Sequence, residues 1–343
     1  MKKTFTITEK DNGRKIFKII KDNFKELQLG DIQKIFRQKD VKINGKRVKQ
    51  DEIAKKGDEI SIFIGGEMEK NFEKNKKFLE KTGKILDKNK KNFVSEKNFQ
   101  ENFKIIFEDE EILVADKPAG IAVHPGSNHP EGKTMICFAK YYLEKKNPGG
   151  DNFIQLAHRL DADTSGVLLF AKKSETLRKI NEMIKKRKVE KKYFALIKGE
   201  IREKSGKIIC LVKRTDGKNG DKVILAKKGD KNALISQTNF KIIKTFSKKI
   251  GDKIEKFSLM DLNIKTGRMH QIRVHMKSKG TPLIMDQIYG DFKFNKIFQK
   301  EIGLKRHFLH SYFFEITHPT TGKKIKFKLK ISDDLKKCLK NLA

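Results

Sequence analysis

FIQLAHRLDADTSGVLLFA, residues 153–171, sets a polar segment, His158 to Gly166, between two apolar runs. The second run, Val167-Leu168-Leu169-Phe170-Ala171, carries no polar side chain, as expected of a strand buried on both faces. A loop between two buried strands is where a rigid scaffold presents functional side chains. Arg159 and Asp161 alternate along this loop and can share a face, with Leu160 between them turned inward as an anchor. An ordinary turn could use the same residues. Asp161 or Asp163 would then accept backbone N–H bonds, and Gly166 would supply an unusual dihedral.

Outward from this loop, strand-like and helix-like segments alternate from Phe103 to the C-terminus. The segment 174–188 reads as the clearest helix: Ser174 caps it, Leu177, Ile180 and Ile184 form its buried stripe, and basic residues gather near its end. KKYFALIKG (191–199) and FSLMDLNIKTGRMHQIRVHM (257–276) read as strands leading into turns. The mixture predicts an α+β domain over residues 101–343, built around an antiparallel sheet. Residues 14–66 form a smaller α/β unit. Ile16, Ile19, Ile20 and Phe24 make one helical stripe, Ile32 and Phe36 a second, and Asn44-Gly45 between alternating runs marks a hairpin turn. Residues 67–100 hold 10 Lys against 6 Asp+Glu and no proline, and are read as a basic linker.

The chain of 343 residues carries 79 Lys+Arg against 44 Asp+Glu, a net charge of +35. Such a charge points to a polyanionic partner, a nucleic acid or an acidic membrane surface. The 79 cations are 68 Lys and 11 Arg, so part of the excess is a solvated lysine-rich surface. No apolar stretch approaches the ~20 residues of a spanning helix, and the N-terminus turns polar before any export signal could form. Three scattered cysteines without a CxxC pair suit a reducing cytoplasm. None of the eight histidines stands at zinc-ligand spacing from cysteine or carboxylate, and HExxH is absent, so no metal is expected. Phosphate-cradling glycine loops and the GxSxG elbow are missing too, and no cofactor is expected. Nothing in the pattern demands a dimer, so the expectation is a monomer.

The loop does not stand alone. HRLDxxTSG at 158–166 resembles the signature of the RluA family of RNA pseudouridine synthases. Asp116-Lys117-Pro118-Ala119-Gly120 with Val123-His124-Pro125-Gly126 resembles the family's KPxG…VHPG segment. Lys191 to Gly199 is similar to its KxYxAxVxG strand, and Thr266 to Met276 to TGRxHQIRVHM. Phe308-Leu309-His310 and Thr317-His318-Pro319 fit its tail. The family commonly has GxPLxGDxxYG where this chain reads Gly280 to Gly290, with Met285 in place of the inner glycine. That departure favours the C-type large-subunit branch. Residues 14–66 are similar to the small RNA-binding module named after ribosomal protein S-four.

The resemblance implies a catalytic domain on a mixed, mainly antiparallel sheet and an isomerase needing no cofactor, with large-subunit (23S) ribosomal RNA as substrate. Transfer RNA is the alternative substrate, and a non-catalytic RNA-binding assembly factor the alternative class. It assigns Asp161 as the essential carboxylate, Arg273 as its partner in a fork, and Tyr193 as a ring against the uracil. Arg159 would fill the space left by a flipped base. Arg268 and His270 belong to the RNA-binding set, and Arg14, Lys15, Lys34 and Arg37 would add phosphate contacts from the N-terminal module.

Overall fold

The computed structural model describes residues 1–24, 26–76, 94–126, 132–215 and 222–343. Two sheets organise them. The smaller, in order β1-β4-β2-β3, joins β1 (Lys2–Thr6), β2 (Val41–Ile43), β3 (Lys46–Arg47) and β4 (Glu59–Phe63). Helices α1 (Ile16–Asn23) and α2 (Leu29–Arg37) cover it, burying Ile16, Ile19, Ile20, Ile32 and Ile35. Asn44 and Gly45 both take positive φ, 47° and 78°, as a tight hairpin turn requires. The unit is larger than the expected 14–66. Strand β1 pairs with β4 along its whole length, which brings its start forward to residue 2. At its other end, residues 67–76 are helical (α3) and bury Met68 and Phe72 in the same core. The expected linker therefore loses its first ten residues to packing, because Met68 and Phe72 are four apart on one helical face. Residues 77–93 lie outside the described residues.

The larger sheet has 11 strands in the order β11-β10-β12-β13-β9-β14-β8-β6-β5, with β15 added on β14 and β7 on β8. They are β5 (Lys104–Glu108), β6 (Ile112–Lys117), β7 (Gln155–Leu156), β8 (Ser165–Ala171), β9 (Glu190–Lys198), β10 (Ser205–Thr215), β11 (Lys222–Ala226), β12 (Leu234–Ile250), β13 (Lys253–Ile264), β14 (Leu309–Thr317) and β15 (Lys324–Lys328). Helices α4 (Glu96–Asn102), α5 (Met135–Lys146), α6 (Ser174–Lys185), α7 (Gln271–Ser278), α8 (Phe292–Ile302) and α9 (Asp333–Leu342) pack around it. Val94 and Phe99 join the core under α5, so this body starts ahead of residue 101. Helix α6 is capped at Lys173 without a side-chain bond, and Ser174 instead donates to the Asn12 carbonyl at 3.2 Å.

Strand β8 explains its own sequence. Leu168 and Phe170 enter the core under α5, while Val167, Leu169 and Ala171 enter the core under α6. Both faces are covered from Val167 to Ala171, which favours apolar side chains throughout. At its start β8 runs parallel to β14, Gly166 opposite Ser311, in a sheet whose other pairings are antiparallel. Gly166 has φ of +122°, and a Cβ there would lie 2.1 Å from the Ser311 carbonyl oxygen. Only glycine fits this crossing. Gly166→Ala is expected to cost about 3 kcal/mol or more of stability, read by urea denaturation, because the obstacle is backbone that cannot turn aside. A loss under about 1 kcal/mol would show that the crossing relaxes freely.

Candidate active site

The 157–164 loop connects β7 to β8 and is held on three sides. Leu160 is buried in the core as its anchor. His158 accepts the Leu169 N–H at 3.2 Å and stacks on Phe314 with ring centroids 4.9 Å apart. Burial presses its imidazole down to about 3, so it packs as a neutral ring. From below, two buried cations gather the loop's carbonyls. Lys117 Nζ donates to the oxygens of Pro118, Ala162 and Thr164 at 2.8, 2.6 and 2.8 Å. Arg306 donates to the Asp163 oxygen at 3.0 Å and is itself held by Asp334 at 2.7 and 3.1 Å. Three successive carbonyls thus turn toward buried charge. The Asp161 side chain, a quarter exposed, is left lining the cleft.

Arg273 reaches Asp161 from α7. The sequence 257–276 alternates like a strand, yet residues 271–278 are helical, a correction with a clear cause. All six residues from Gln271 to Met276 are buried, polar and apolar alike, so hydrophobic spacing carries no period there. The turn before α7 is set by Gln271, whose Oε1 accepts from Thr266 Oγ1 at 2.5 Å and from the Arg268 N–H at 3.1 Å. His270 then enters the helix at φ 51°.

Arg273 does not pair with Asp161 in a fork. Its Nε and Nη2 fork onto Asp286 at 2.7 and 2.9 Å, and Nη1 alone donates to Asp161 Oδ2 at 2.9 Å. Asp286, fully buried, also accepts the N–H groups of Ile288 and Tyr289 at 2.8 and 2.9 Å. Sequence reasoning misses this residue, although it lies inside the family-like stretch Gly280 to Gly290. A buried carboxylate inside an otherwise apolar run is the available signal. Met285 beside it takes φ of 62° and is 1% exposed, a conformation glycine adopts without strain.

The carboxylates differ in their environments. Burial acts to raise Asp161, but His270, Arg273 and His307 together with the Arg273 hydrogen bond outweigh it and hold the carboxyl below its ordinary value. His270 is itself lowered by burial, and His307 is pushed down to about 4. With His307 uncharged at neutral pH, Arg273 is the permanent charge that is hydrogen-bonded to Asp161. The group's contribution to stability is accordingly present above the ordinary carboxylate range and lost as pH falls through its lowered folded value. The Tyr289 hydroxyl accepts the Val223 N–H at 2.9 Å and lies 3.1 Å from His270 Nδ1. The other ring nitrogen of His270, Nε2, lies 3.9 Å from Asp161 Oδ2.

The cleft above Asp161 holds about 620 Å³. Tyr193, 5% exposed on β9, forms part of its wall, and burial followed by the Asp161 charge raises its phenol, which stays protonated. Arg159 is exposed on the cleft, and Arg268 lines it with Nε bonded to the Ile235 carbonyl at 3.2 Å. His270 sits beside Asp161 rather than on an outer surface. The structure does not bring the four N-terminal cations to this site. Lys15, Lys34 and Arg37 are exposed on their own module, and Arg14 is paired with Asp11 and Asp22. Among the described residues no group of His, Cys, Asp and Glu could hold a metal ion, and no helix is long and apolar enough to cross a membrane.

With this geometry in hand, comparison with known proteins is direct. Residues 111–278 match the family model described as RNA pseudouridylate synthase. Ribosomal large subunit pseudouridine synthase C of Escherichia coli (strain K12) is 30% identical over 341 residues, spanning 99% of this chain and 96% of that protein. The protein of the same name from Haemophilus influenzae is 31% identical over 340 residues, spanning 99% and 95%. Human RNA Pseudouridylate Synthase Domain Containing 1 shares the fold, with a TM-score of 0.53 at 24% identity, over 69% of this chain and 88% of its own. The cleft on this sheet is that of an RNA pseudouridine synthase, an isomerase. Within that class the chain belongs to the RluA family, homologous over its full length to ribosomal large subunit pseudouridine synthase C.

Two substitutions separate the arginine's tasks. Arg273→Lys keeps a charge but cannot serve both carboxylates, and should lower kcat by about 100-fold or more with RNA affinity within about threefold. Asp286→Asn leaves the buried guanidinium short of charge and should destabilise the fold by about 3 kcal/mol in urea denaturation. An active Arg273→Lys enzyme would mean that the fork is dispensable.

Proposed function

We propose that this protein isomerises uridines of 23S ribosomal RNA to pseudouridine, acting as a cytoplasmic monomer with Asp161 as the group that works on the sugar. One observation carries the reading. Asp161 is an ionised carboxylate with a single hydrogen-bond donor, held at an open cleft, whereas its neighbour Asp286 accepts four donors. A carboxylate with free lone pairs can attack a ribose carbon or remove a sugar proton. The reaction breaks the C–N glycosidic bond and forms a C–C bond, with one proton leaving C5 and another joining N1. No oxidant or energy source is called for.

A base inside a helix cannot be turned over, so the uridine must leave its stack, at a cost of a few kcal/mol. Arg159 is the exposed cation beside Asp161 that fills the vacated space, and Tyr193 offers its ring to the uracil face. Lys185 and Arg187, which line the cleft at the end of α6, add phosphate contacts. Arg268 and His270 border the same opening, while Lys15, Lys34 and Arg37 extend the basic surface on the N-terminal module. Support for the 23S substrate comes from the names of relatives aligned over nearly the whole chain. Support for a monomer comes from the site itself, since Asp161, Arg273, Asp286 and Tyr193 belong to one chain.

Asp161→Asn is expected to reduce pseudouridine formation by about 1000-fold or more while RNA affinity stays within about threefold. Mapping pseudouridines in cells with and without the gene should show specific 23S positions reverting to uridine. Loss confined to transfer RNA would replace the proposed substrate, and an active Asp161→Asn enzyme would remove the proposed mechanism.

A further inference from the structure

Along β9 the side chains facing inward are Lys191, Tyr193, Ala195 and Ile197. Period-two alternation at a covered sheet face calls for an apolar residue at each of these positions, and Lys191 breaks the pattern. Four lysines and arginines are buried among the described residues: Lys117, Lys191, Arg273 and Arg306. Three of them are fully engaged. Lys117 gives each of its three N–H bonds to a carbonyl, Arg273 joins two carboxylates, and Arg306 holds Asp334 together with several backbone oxygens. Lys191 is 7% exposed as a residue; its ammonium makes no hydrogen bond or ion pair with any described residue and keeps contact with solvent in the cleft.

An unpaired buried cation is costly. Burial alone pushes this ammonium down to about 8, and nothing in the fold compensates it. The side chain instead lines the cleft beside Gly267, so close that a Cβ added to that glycine would lie 3.5 Å from Lys191 Nζ. Arg159, Lys185, Arg187, Lys265 and Arg268 line the same cleft. Asp161 is its one carboxylate, already bonded to Arg273. An uncommitted ammonium on a buried stem, opening into a cleft walled by cations, is suited to an anion brought from outside.

Resting on the reading of this chain as an RNA-modifying enzyme, we propose that Lys191 binds a phosphodiester of the RNA strand that carries the flipped uridine. The subsite lies between the end of α6 and the 264–268 turn. The ligand supplies the partner that the fold does not, and offsets the partial desolvation of the lysine.

This predicts a pairing of effects that a structural lysine would not give. The free Lys191→Met protein should melt about 2–4 °C higher than the wild type, because it loses an uncompensated charge. Its Kd for an in vitro 23S rRNA transcript should rise about tenfold at fixed salt. The plot of log K against log of KCl concentration should become shallower by about 0.7–0.9, the value of one phosphate contact. Lys191→Arg should keep the wild-type slope. Lower melting with unchanged Kd overturns the proposal in favour of a packing role. A raised Kd with an unchanged slope overturns it in favour of a neutral acceptor such as a base carbonyl. An insoluble Lys191→Met passes the decision to Lys191→Gln, read in the same way. A wild-type protein that binds the transcript but forms no pseudouridine counts against the catalytic reading alone, and the slope comparison still decides Lys191.

Discussion

A single guanidinium, that of Arg273, is shared unequally between two carboxylates, and the site takes its character from that inequality. Two of its nitrogens go to Asp286, which also receives two backbone N–H groups and is left with nothing to offer. The third goes to Asp161, which receives that one side-chain donor and keeps lone pairs facing the cleft. A carboxylate saturated with donors is an anchor, and a carboxylate with one donor remains ionised and available. Removing Asp286 from this arrangement would leave the arginine free to turn fully onto Asp161 and occupy both of its oxygens.

The scaffold beneath this pair follows the same physical logic. A loop that carries a catalytic side chain must satisfy its own backbone without using that side chain. Lys117 and Arg306 accomplish this by taking the carbonyls of Ala162, Asp163 and Thr164 from the buried side. Lys117 comes from the end of β6, and Arg306 is steadied by Asp334 on the C-terminal helix. Distant parts of the chain therefore converge on three peptide units. The Gly166 crossing fixes where β8 begins, and with it the height of Asp161 above the sheet.

Much of this is legible in the amino acids alone. Continuous apolarity of Val167–Ala171 announces a strand covered on both faces, Asn44-Gly45 announces its hairpin, and the polar insert between two buried runs locates the loop that carries Asp161. Other features are hidden for identifiable reasons. Helix α7 is buried on every side, so its alternation of Ile272, Val274 and Met276 imitates a strand. The first strand, Lys2–Thr6, is half solvent-facing and lysine-rich, and only its partner β4 reveals it. Asp286 and Lys117 are charges in apolar surroundings, which local patterning treats as noise. Their meaning comes from partners such as Arg273, 13 residues from Asp286, and Thr164, 47 residues from Lys117. The fork expected on Asp161 falls on Asp286 instead, because sequence spacing holds no information about which of two aspartates an arginine will face.

The claim on which the account turns is that the positive charge gathered around Asp161, from His270, Arg273 and His307, overrides its burial. It is tested most directly by a ¹³C NMR titration of protein labelled at aspartate carboxyl carbons, with the resonance assigned by its absence from Asp161→Asn. The account predicts that this carboxyl titrates below 3.8, the ordinary value for an aspartate side chain. A resonance titrating above that value would show that desolvation wins, and that the surrounding positive charge does not hold Asp161 ionised.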